Sequence, residues 1–377
     1  MSGSARNWRA SSLAVAAAGI LLCGTGCGGR SSAPPGDPQV LNIYNWADYI
    51  GHDTVAEFER QTHIKVVYEL YDSNDTLEAK MLAGRSGYDI VSTTTAYYQR
   101  QIKAGAYLPL DRSKLPNWKN LDPKVLAIQS SADPGNRYAV PYLHAMNGFV
   151  YNVDLIKARM PDAPTGSLAM IFDPKVIARF ADCGVSFLDS PEDVLQLALA
   201  YLHRDPNSSR AEDLQAAEQV VMAVRPYIRI FDSNAYWHQL ASKELCLSIA
   251  WSSDYSVAQA RAQEDGTGAH LAFTLPAEGS NITYNALLIP ASAPHPGAAH
   301  KFLNFILDGR VIADITNDIH YGNDNLAARP FVERALLEDP AVYPPPGLRA
   351  RLYLPLELGP DYDRLRTRAW THIKTGQ

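Results

Sequence analysis

The sequence predicts an α/β protein built on a mostly parallel sheet, because segments typical of strands and helices alternate along the chain. In the first third, predicted strands lie at residues 40–44, 64–71 and 88–92, and predicted helices at 53–61, 74–82 and 97–104. The middle repeats this style, with predicted strands at 184–188 and 246–251 and predicted helices at 191–201 and 211–225. Such alternation is typical of a parallel sheet with helices on both faces, whose ligands bind beyond the carboxyl ends of the strands.

Local signals support the helix starts. Ser73 or Asn74 is suited to capping the second helix, because a short polar side chain can accept a hydrogen bond from the first turn. Pro191, followed by two acidic residues, is typical of the first turn of a helix. The last third of the chain predicts a strand at 286–289 and helices at 298–307 and 363–370.

Two predicted strand ends carry aromatic rings together with a carboxylate. The first strand is followed by Trp46, Asp48 and Tyr49, and the strand that ends at Trp251 is followed by Asp254. The face of an aromatic ring attracts a cation and a carboxylate supplies the opposite charge, so the set suits an organic cation. The alternative is that the rings pack in the core and the carboxylates cap helices.

The composition is that of an ordinary globular protein with room for two domains. The 377 residues are 46% hydrophobic and 20% charged, with a formal net charge of −6. Without residues 1–26, which hold two arginines and no acid, 32 basic residues stand against 40 acidic ones. Such a chain does not have the basic character of a nucleic-acid-binding protein, and it is compatible with a cationic ligand.

The N-terminus is typical of an export signal. Two arginines precede an uncharged apolar run at 13–22, which is too short to span a bilayer as a stable helix. Cys27 follows small residues, and this pattern is similar to the processing site of bacterial lipoproteins, where the cysteine becomes the lipidated first residue. We predict a signal peptide at 1–26 and a flexible tether at 27–38, with an unlipidated periplasmic protein as the alternative.

Two cysteines lie in the body of the chain, Cys183 and Cys246. In an exported protein such a pair is expected to form a disulfide, which here would close a loop of about 60 residues. Two buried free thiols are the alternative. Neither the cysteine spacing nor that of the ten histidines matches a metal site, so no metal and no cofactor is predicted.

Five segments of the chain identify a family resemblance. They lie at 43–50 (IYNWADYI), 113–123 (SKLPNWKNLDP), 183–189 (CGVSFLD), 205–208 (DPNS) and 366–371 (RTRAWT). With these segments the chain resembles the periplasmic putrescine- and spermidine-binding proteins of bacterial polyamine ABC transporters, and the putrescine-specific branch most closely. The resemblance extends from about Leu41 to the C-terminus.

The resemblance implies a periplasmic binding protein fold of type II. Each of its two lobes has a central, mostly parallel sheet flanked by helices, and the lobes close on a ligand like a hinge. Lobe 1 is expected to comprise residues 39–143 and 256–318, and lobe 2 residues 144–255 and 319–377. The resemblance also implies the disulfide between the two body cysteines.

The resemblance further implies a site in which aromatic rings surround a methylene chain and carboxylates bind its ammonium ends. The implied ligand-binding residues are Trp46, Asp48, Tyr49, Thr94, Asp193, Trp251, Asp254, Thr283, Asn285 and Tyr321. The alternatives are that the aromatic residues belong to the core, that Asp193 is only a first-turn helix charge, and that Thr283 and Asn285 face away.

Some of these residues depart from the family pattern. Asp193 stands where the putrescine-binding proteins carry Glu, Thr94 replaces a Ser, and Thr283 replaces an aromatic residue. Asn285 replaces an Asp that holds one amine, and this change matters most. An amide oxygen accepts a hydrogen bond but brings no charge, and a buried ammonium without a counter-ion costs on the order of several kcal/mol. We therefore expect a polyamine, with spermidine, a guanidinylated diamine or weakly bound putrescine as the possibilities.

The resemblance implies an extracytoplasmic solute-binding protein that captures a polyamine and delivers it to an inner-membrane ABC transporter permease. We expect a periplasmic monomer without a nucleic-acid partner, in contact with the membrane only through a lipid on Cys27. An enzyme is not expected, because the sequence lacks a Gly-x-Ser-x-Gly elbow, a phosphate loop and a metal-spaced histidine pair. A polyamine or amine sensor with altered ligand preference is the alternative, since it would share the fold and the site.

Overall fold

The computed structural model of the chain describes residues 40–47, 49–71 and 73–376. The predicted signal peptide, the tether and Cys27 lie outside these described residues. The strands of the described residues are β1 (Val40–Trp46), β2 (Lys65–Tyr71), β3 (Ile90–Thr94), β4 (Val140–Asn152), β5 (Val185–Phe187), β6 (Ile230–Phe231), β7 (Leu247–Trp251), β8 (Leu271–Thr274), β9 (Ser280–Leu288) and β10 (Leu352–Tyr353).

Helices connect these strands and flank the sheet. The α-helices are α1 (Thr54–Thr62), α2 (Asn74–Leu82), α3 (Thr95–Lys103), α4 (Pro123–Gln129), α5 (Val153–Arg159), α6 (Ala169–Phe172), α7 (Pro174–Ile177), α8 (Pro191–Tyr201), α9 (Ala211–Val224), α10 (Tyr236–Ala241), α11 (Ser252–Glu264), α12 (Pro296–Ile306), α13 (Gly309–Ile319), α14 (Arg334–Leu337), α15 (Pro346–Arg349) and α16 (Pro360–Thr375). Short 3₁₀ helices lie at Arg112–Lys114, Pro116–Asn120, Ala178–Phe180 and Arg225–Tyr227.

The strands form a mixed sheet in the order β2-β1-β3-β9-β4-β7-β5-β6, with β10 beside β9 and β8 beside β4. At one end β1 is parallel to β2 and β3, and at the other end β5 is parallel to β6 and β7. Between these groups β9 is antiparallel to β3 and β4, and β4 is antiparallel to β7 and β8. The α/β class is confirmed. The sheet is mixed because two long antiparallel strands join the two parallel groups.

The long strand β4 was not predicted from the sequence. Pro141, His144 and Asn147 interrupt its apolar run, and a proline is unusual inside a sheet. The structure accommodates the proline at a register shift, which lies between Pro141 and Leu143 in the pairing of β4 with β9. The first half of β4 pairs with β9 and the second half with β7 and β8, so this strand connects the two parallel groups.

Two large hydrophobic clusters support the sheet. One contains Phe149, Phe187 and Ile249 and packs the region of β5 and β7 against α8 and α9. The other contains Ile43 and Phe302 and packs the region of β1 against α12 and α13. Each cluster is closed to water, which stabilises the part of the sheet that it covers. The two clusters do not define the predicted lobe boundaries, which stay a prediction.

Helix capping positions one of the predicted site residues. The Ser190 hydroxyl accepts a hydrogen bond from the backbone N–H of Asp193 over 3.4 Å, and Pro191 occupies the first turn of α8. The predicted cap of α2 is also present, because the Ser73 hydroxyl accepts from the N–H of Thr76. The cap of α8 fixes Asp193 at the helix N-terminus, on the side that meets the sheet.

The predicted disulfide is present between Cys183 and Cys246, with the two Cα atoms 5.6 Å apart. Cys246 directly precedes β7, and only Gly184 separates Cys183 from β5. These two strands are parallel neighbours in the sheet. Among the described residues, no helix is both long enough and apolar enough to cross a membrane.

Candidate functional site

Strand β9 presents polar side chains to one face of the sheet. Asn281, Thr283 and Asn285 alternate with Ile282 and Tyr284, so the two-residue period of a strand places the three polar side chains on the same face. The two asparagines are buried, and the threonine is partly exposed. This face of β9, together with the adjoining parts of β4 and β7, is called the site face below.

At one end of the site face, Asn285 contacts Tyr49. The Asn285 Nδ2 donates a hydrogen bond of 2.8 Å to the Tyr49 hydroxyl. The Tyr49 ring packs edge-on against the ring of Tyr321, with the centroids 4.5 Å apart. Burial, assisted by Tyr321, raises the pKa of Tyr49 well above its ordinary value, so the phenol is neutral at physiological pH. Asn285 thus faces Tyr49, another of the predicted ligand-binding residues.

The other polar atom of Asn285 lacks a partner. Its Oδ1 is buried and accepts no hydrogen bond from any described residue. Asn285 lies opposite Thr94 of β3, but the Thr94 hydroxyl accepts from Asn74 Nδ2 over 3.3 Å. A buried acceptor without a partner costs about 1–3 kcal/mol, so this oxygen is suited to an N–H donor of a ligand.

At the other end of the site face, Asp193 is held by two neutral donors. Its Oδ2 accepts a hydrogen bond of 3.1 Å from Trp251 Nε1, and its Oδ1 accepts one of 3.0 Å from Asn281 Nδ2. Burial raises the pKa of Asp193, and the hydrogen bonds from Ser190, Asn281 and Trp251 oppose this effect. Asp193 is thus more than a first-turn helix charge, because its carboxylate bridges β7 and β9.

The carboxylate of Asp254 lies in the first turn of α11. Its Oδ2 accepts a hydrogen bond of 2.7 Å from the Tyr236 hydroxyl, and its Oδ1 accepts one of 3.3 Å from the Ser253 hydroxyl. The residue at the N-cap position of α11 is Trp251, so Asp254 does not cap this helix. Burial raises the pKa of Asp254 to about 6.

Neither carboxylate has a basic hydrogen-bond partner within the described part of the chain, although the charge of Arg366 acts on Asp193 and lowers its pKa. Every side chain described there as hydrogen-bonded to Asp193 or Asp254 is neutral. Withdrawing a carboxylate from water without a directly paired cation is costly, and the raised pKa values of Asp193 and Asp254 reflect this cost. A cationic ligand placed beside these carboxylates would remove it. The arrangement is thus suited to binding an organic cation.

Three further predicted ligand-binding residues are Trp46, Asp48 and Thr283. Trp46 ends β1 and packs its ring against Tyr71, with the centroids 4.3 Å apart, and its Nε1 is buried without a described partner. Asp48 lies outside the described residues, so its role stays a prediction. Thr283 shares the site face between Asn281 and Asn285, where its partly exposed side chain is available to a ligand.

Sequence reasoning missed two residues of this site, Asn281 and Tyr236. The strand period contains a signal for Asn281, because it precedes Thr283 by two positions and shares its face. Tyr236 has no comparable signal. It lies on α10 and meets Asp254 only because the fold brings α10 and α11 together.

Two other kinds of site, a surface groove and a metal site, were considered among the described residues. A groove of about 1090 Å³ runs along α12 and α13, but it contains none of the predicted site residues and none of the buried unpartnered polar atoms. In the described part of the chain, no group of three or more His, Cys, Asp or Glu side chains is placed to hold a metal ion.

Comparisons with known proteins agree with this fold. The family model of the bacterial extracellular solute-binding proteins matches residues 53–341. The putrescine-binding periplasmic protein PotF of Escherichia coli K12 is 43% identical over 343 residues, which are 90% of this chain and 93% of that protein. The putrescine-binding periplasmic protein SpuD of Pseudomonas aeruginosa is 40% identical over 95% of this chain and 97% of its own length.

A solved structure supports the fold independently. The spermidine/putrescine ABC transporter substrate-binding protein PotD of Streptococcus pneumoniae matches with a TM-score of 0.79 at 24% identity, over 90% of this chain and 99% of that one. The chain belongs to the bacterial extracellular solute-binding proteins. The family resemblance predicted from the five sequence segments is confirmed, and the role of this protein is to bind a solute.

Proposed function

We propose that this protein captures a polyamine at the site face and delivers it to the permease of an ABC transporter. The observation that carries the proposal is the carboxylate of Asp193, which is partly buried and held by Trp251 and Asn281, with no basic side chain among its described hydrogen-bond partners. An anion would be repelled by this group. A cation would form the direct ion pair that Asp193 does not make with any described residue.

The distribution of groups favours an elongated cation with more than one N–H donor. Asp193 and Asp254 supply negative charge near Trp251, and Asn285 supplies a neutral acceptor beside Tyr49. Aromatic rings bind methylene groups through their apolar faces and attract cationic groups. A linear chain of methylenes with amino groups, such as putrescine, spermidine or a related amine, combines these properties.

Asn285 is expected to set the choice among such amines. Its Oδ1 accepts a hydrogen bond but does not neutralise an ammonium, so the Asn285 end of the site holds a full charge less well than a carboxylate would. Spermidine and a guanidinylated diamine offer N–H donors with different charge placement. Either would be preferred over putrescine if no other carboxylate serves this end.

Capture is proposed to proceed by closure of two lobes, with boundaries at 143/144, 255/256 and 318/319. The open form would offer one part of the site on each lobe, and the ligand would favour the closed form by bridging them. Closure would exclude water and so strengthen the attraction between the ammonium groups and the carboxylates.

The same proposal places the mature protein in the periplasm, where its relatives PotF and SpuD are described. Residues 1–26 would act as the export signal, and a lipid on Cys27 would anchor the chain through the tether at 27–38. The protein is expected to act as a monomer and to have no catalytic activity.

Thermal unfolding of the ligand-free mature protein, with and without each amine, tests the proposal. A ligand that binds only the native state raises the unfolding midpoint as its concentration rises. We expect at least one of putrescine, cadaverine, spermidine, spermine and agmatine to do so at micromolar concentration. The shift should disappear in Asp193→Asn and persist in Glu192→Gln, which removes the neighbouring acid. No shift with any amine would contradict the proposal.

A further inference from the structure

Asn147 lies on β4 between the two residues that hold Asp193. In the sheet, β4 runs between β9 and β7. Asn147 pairs with Trp251 of β7, and the register of β9 on β4 brings Asn281 to its other side. A hydrogen bond from the Ser280 hydroxyl to the backbone oxygen of Asn147 confirms that the start of β9 is adjacent.

The strand register directs the Asn147 side chain to the site face. Residues that lie opposite each other on neighbouring strands project their side chains to the same side of the sheet. Trp251 and Asn281 both reach the Asp193 carboxylate on that side. The Asn147 amide therefore projects between them, toward the region that Asp193 occupies.

The Asn147 amide has no partner there. The residue has 0% of its surface exposed, and neither its Nδ2 nor its Oδ1 makes a hydrogen bond to a described residue. An amide can donate two hydrogen bonds and accept two, and native proteins rarely leave such groups unpaired in the interior. Because Asp193 is already held by its two neighbours, the free atoms of Asn147 point to an additional group at this place.

Asn285 repeats the same feature at the other end of the site face. Its Oδ1 is also buried without a described partner, and Asn285 lies opposite Leu143 of β4. Leu143 and Asn147 are separated by four strand positions, which correspond to about 14 Å at roughly 3.4 Å per residue. Two unpaired amide oxygens thus mark the two ends of an elongated region.

We propose that Asn147 contacts the ligand and that its Oδ1 accepts a hydrogen bond from the ammonium group that Asp193 neutralises. This inference rests on the proposed function and specifies its ligand. A primary ammonium carries three N–H donors and so can bind the Asp193 carboxylate and the Asn147 oxygen together. A quaternary ammonium has no such donor. The site therefore selects linear amines with a primary ammonium at the Asp193 end.

Isothermal titration calorimetry of Asn147→Leu with putrescine and spermidine tests this inference. Leucine approximates the shape of asparagine but offers no hydrogen bond, so we expect at least about a tenfold loss of affinity for the amine that binds the wild type. The ligand-free thermal midpoint should not fall, because the variant removes a buried unpaired amide. The control is Asn152→Ser on the same strand, which keeps a capping hydroxyl at the start of α5 and should bind as the wild type does.

Asn147→Asp keeps the shape of the side chain and provides a second test if the leucine variant does not fold. An acceptor that faces an ammonium should retain or improve affinity when it gains a negative charge. Affinity within twofold of the wild type in Asn147→Leu, or equal losses in Asn147→Asp and Asn152→Ser, would overturn the inference while leaving the proposed function intact. If the wild type binds none of the amines, the proposed function fails and the inference fails with it.

Discussion

The amide of Asn285 donates a hydrogen bond of 2.8 Å from Nδ2 to the hydroxyl of Tyr49. In this orientation the amide nitrogen is bonded to the tyrosine and the amide oxygen is the unpaired atom. The end of the site face next to Tyr49 is therefore an acceptor without charge. This contrasts with the Asp193 end, where a carboxylate is available.

Replacing Asn285 with Asp should strengthen the binding of putrescine by about tenfold or more, because a charged acceptor replaces a neutral one at the same position. The ligand-free variant should unfold at a lower temperature, since it buries a carboxylate beside Tyr49. Titration calorimetry and thermal unfolding measure the two effects. Gln263→Glu, which adds the same charge at an exposed position near the end of α11, is the control. Unchanged or weaker putrescine binding in Asn285→Asp would show that the charge argument is wrong.

Replacing Trp251 with Phe should weaken amine binding by about tenfold, because the Asp193 carboxylate loses the 3.1 Å hydrogen bond that orients it while an aromatic ring is kept. Trp370→Phe is a matched control. Trp370 also donates a hydrogen bond from Nε1 to a carboxylate, that of Asp189, but neither residue belongs to the predicted site. Titration calorimetry compares the two variants, and equal losses in both would refute a specific role for Trp251.

The stability of the ligand-free protein should depend on pH through Asp254. Burial raises the pKa of this carboxyl from an ordinary value of 3.8 to about 6, so the native state binds more protons than the unfolded state between these values. Stability from this group is then fully present below about pH 4 and is lost as pH rises through about 6. Denaturant unfolding of the wild type and Asp254→Asn at several pH values measures the difference. A difference that does not vary with pH would contradict the assignment.

The same carboxyl should make ligand binding depend on pH in the opposite direction. A cation favours the ionised form of Asp254, so amine affinity should rise as pH increases through about 6 and then level off. The rise should be smaller in Asp254→Asn. Calorimetric titrations at pH 5, 6 and 7.5 test this.

Loss of the disulfide should destabilise the protein without changing the site directly. Cys183 and Cys246 are 63 residues apart, and a loop of this length corresponds to about 4 kcal/mol in the chain-entropy account. The double variant Cys183→Ser, Cys246→Ser should therefore unfold at a clearly lower denaturant concentration. Wild-type protein treated with a reductant should behave in the same way. An unchanged midpoint in both samples would mean that the loop contributes nothing to stability.

The sequence allowed the regular parts of the fold to be predicted. Strand β1, helices α1 and α2 and the start of α8 combine an apolar pattern with a clear turn or cap, as Ser73 and Pro191 illustrate. Such local signals act over a few residues and need no knowledge of the rest of the chain. The cysteine pair was also predictable, because only two cysteines remain in the body.

The strands that build the site were harder to predict. Asn281, Thr283 and Asn285 place polar groups in a strand that is otherwise buried, and His144 and Asn147 do the same in β4. These residues break the apolar runs from which strands are predicted. The asparagines and the threonine lie on the site face, whereas His144 lies on the other face of β4 and contacts Asp324.

Contacts between distant residues were not predictable from local patterns. Trp251 and Asp193 lie 58 residues apart, and their hydrogen bond depends on how α8 packs against the sheet. The pairing of Tyr236 with Asp254 likewise depends on the packing of two helices. The residue types at the strand ends indicated a cation site, but only the fold identifies which neutral donors hold each carboxylate.

The most direct test of the central claim is isothermal titration calorimetry of the ligand-stripped mature protein at pH 7.5. The amines to be titrated are putrescine, cadaverine, spermidine, spermine and agmatine. The account predicts one-to-one binding of at least one of them at micromolar or tighter affinity, with loss of binding in Asp193→Asn. Absence of binding across all five amines would contradict the account, because the partly buried carboxylates would then bind a ligand of another class.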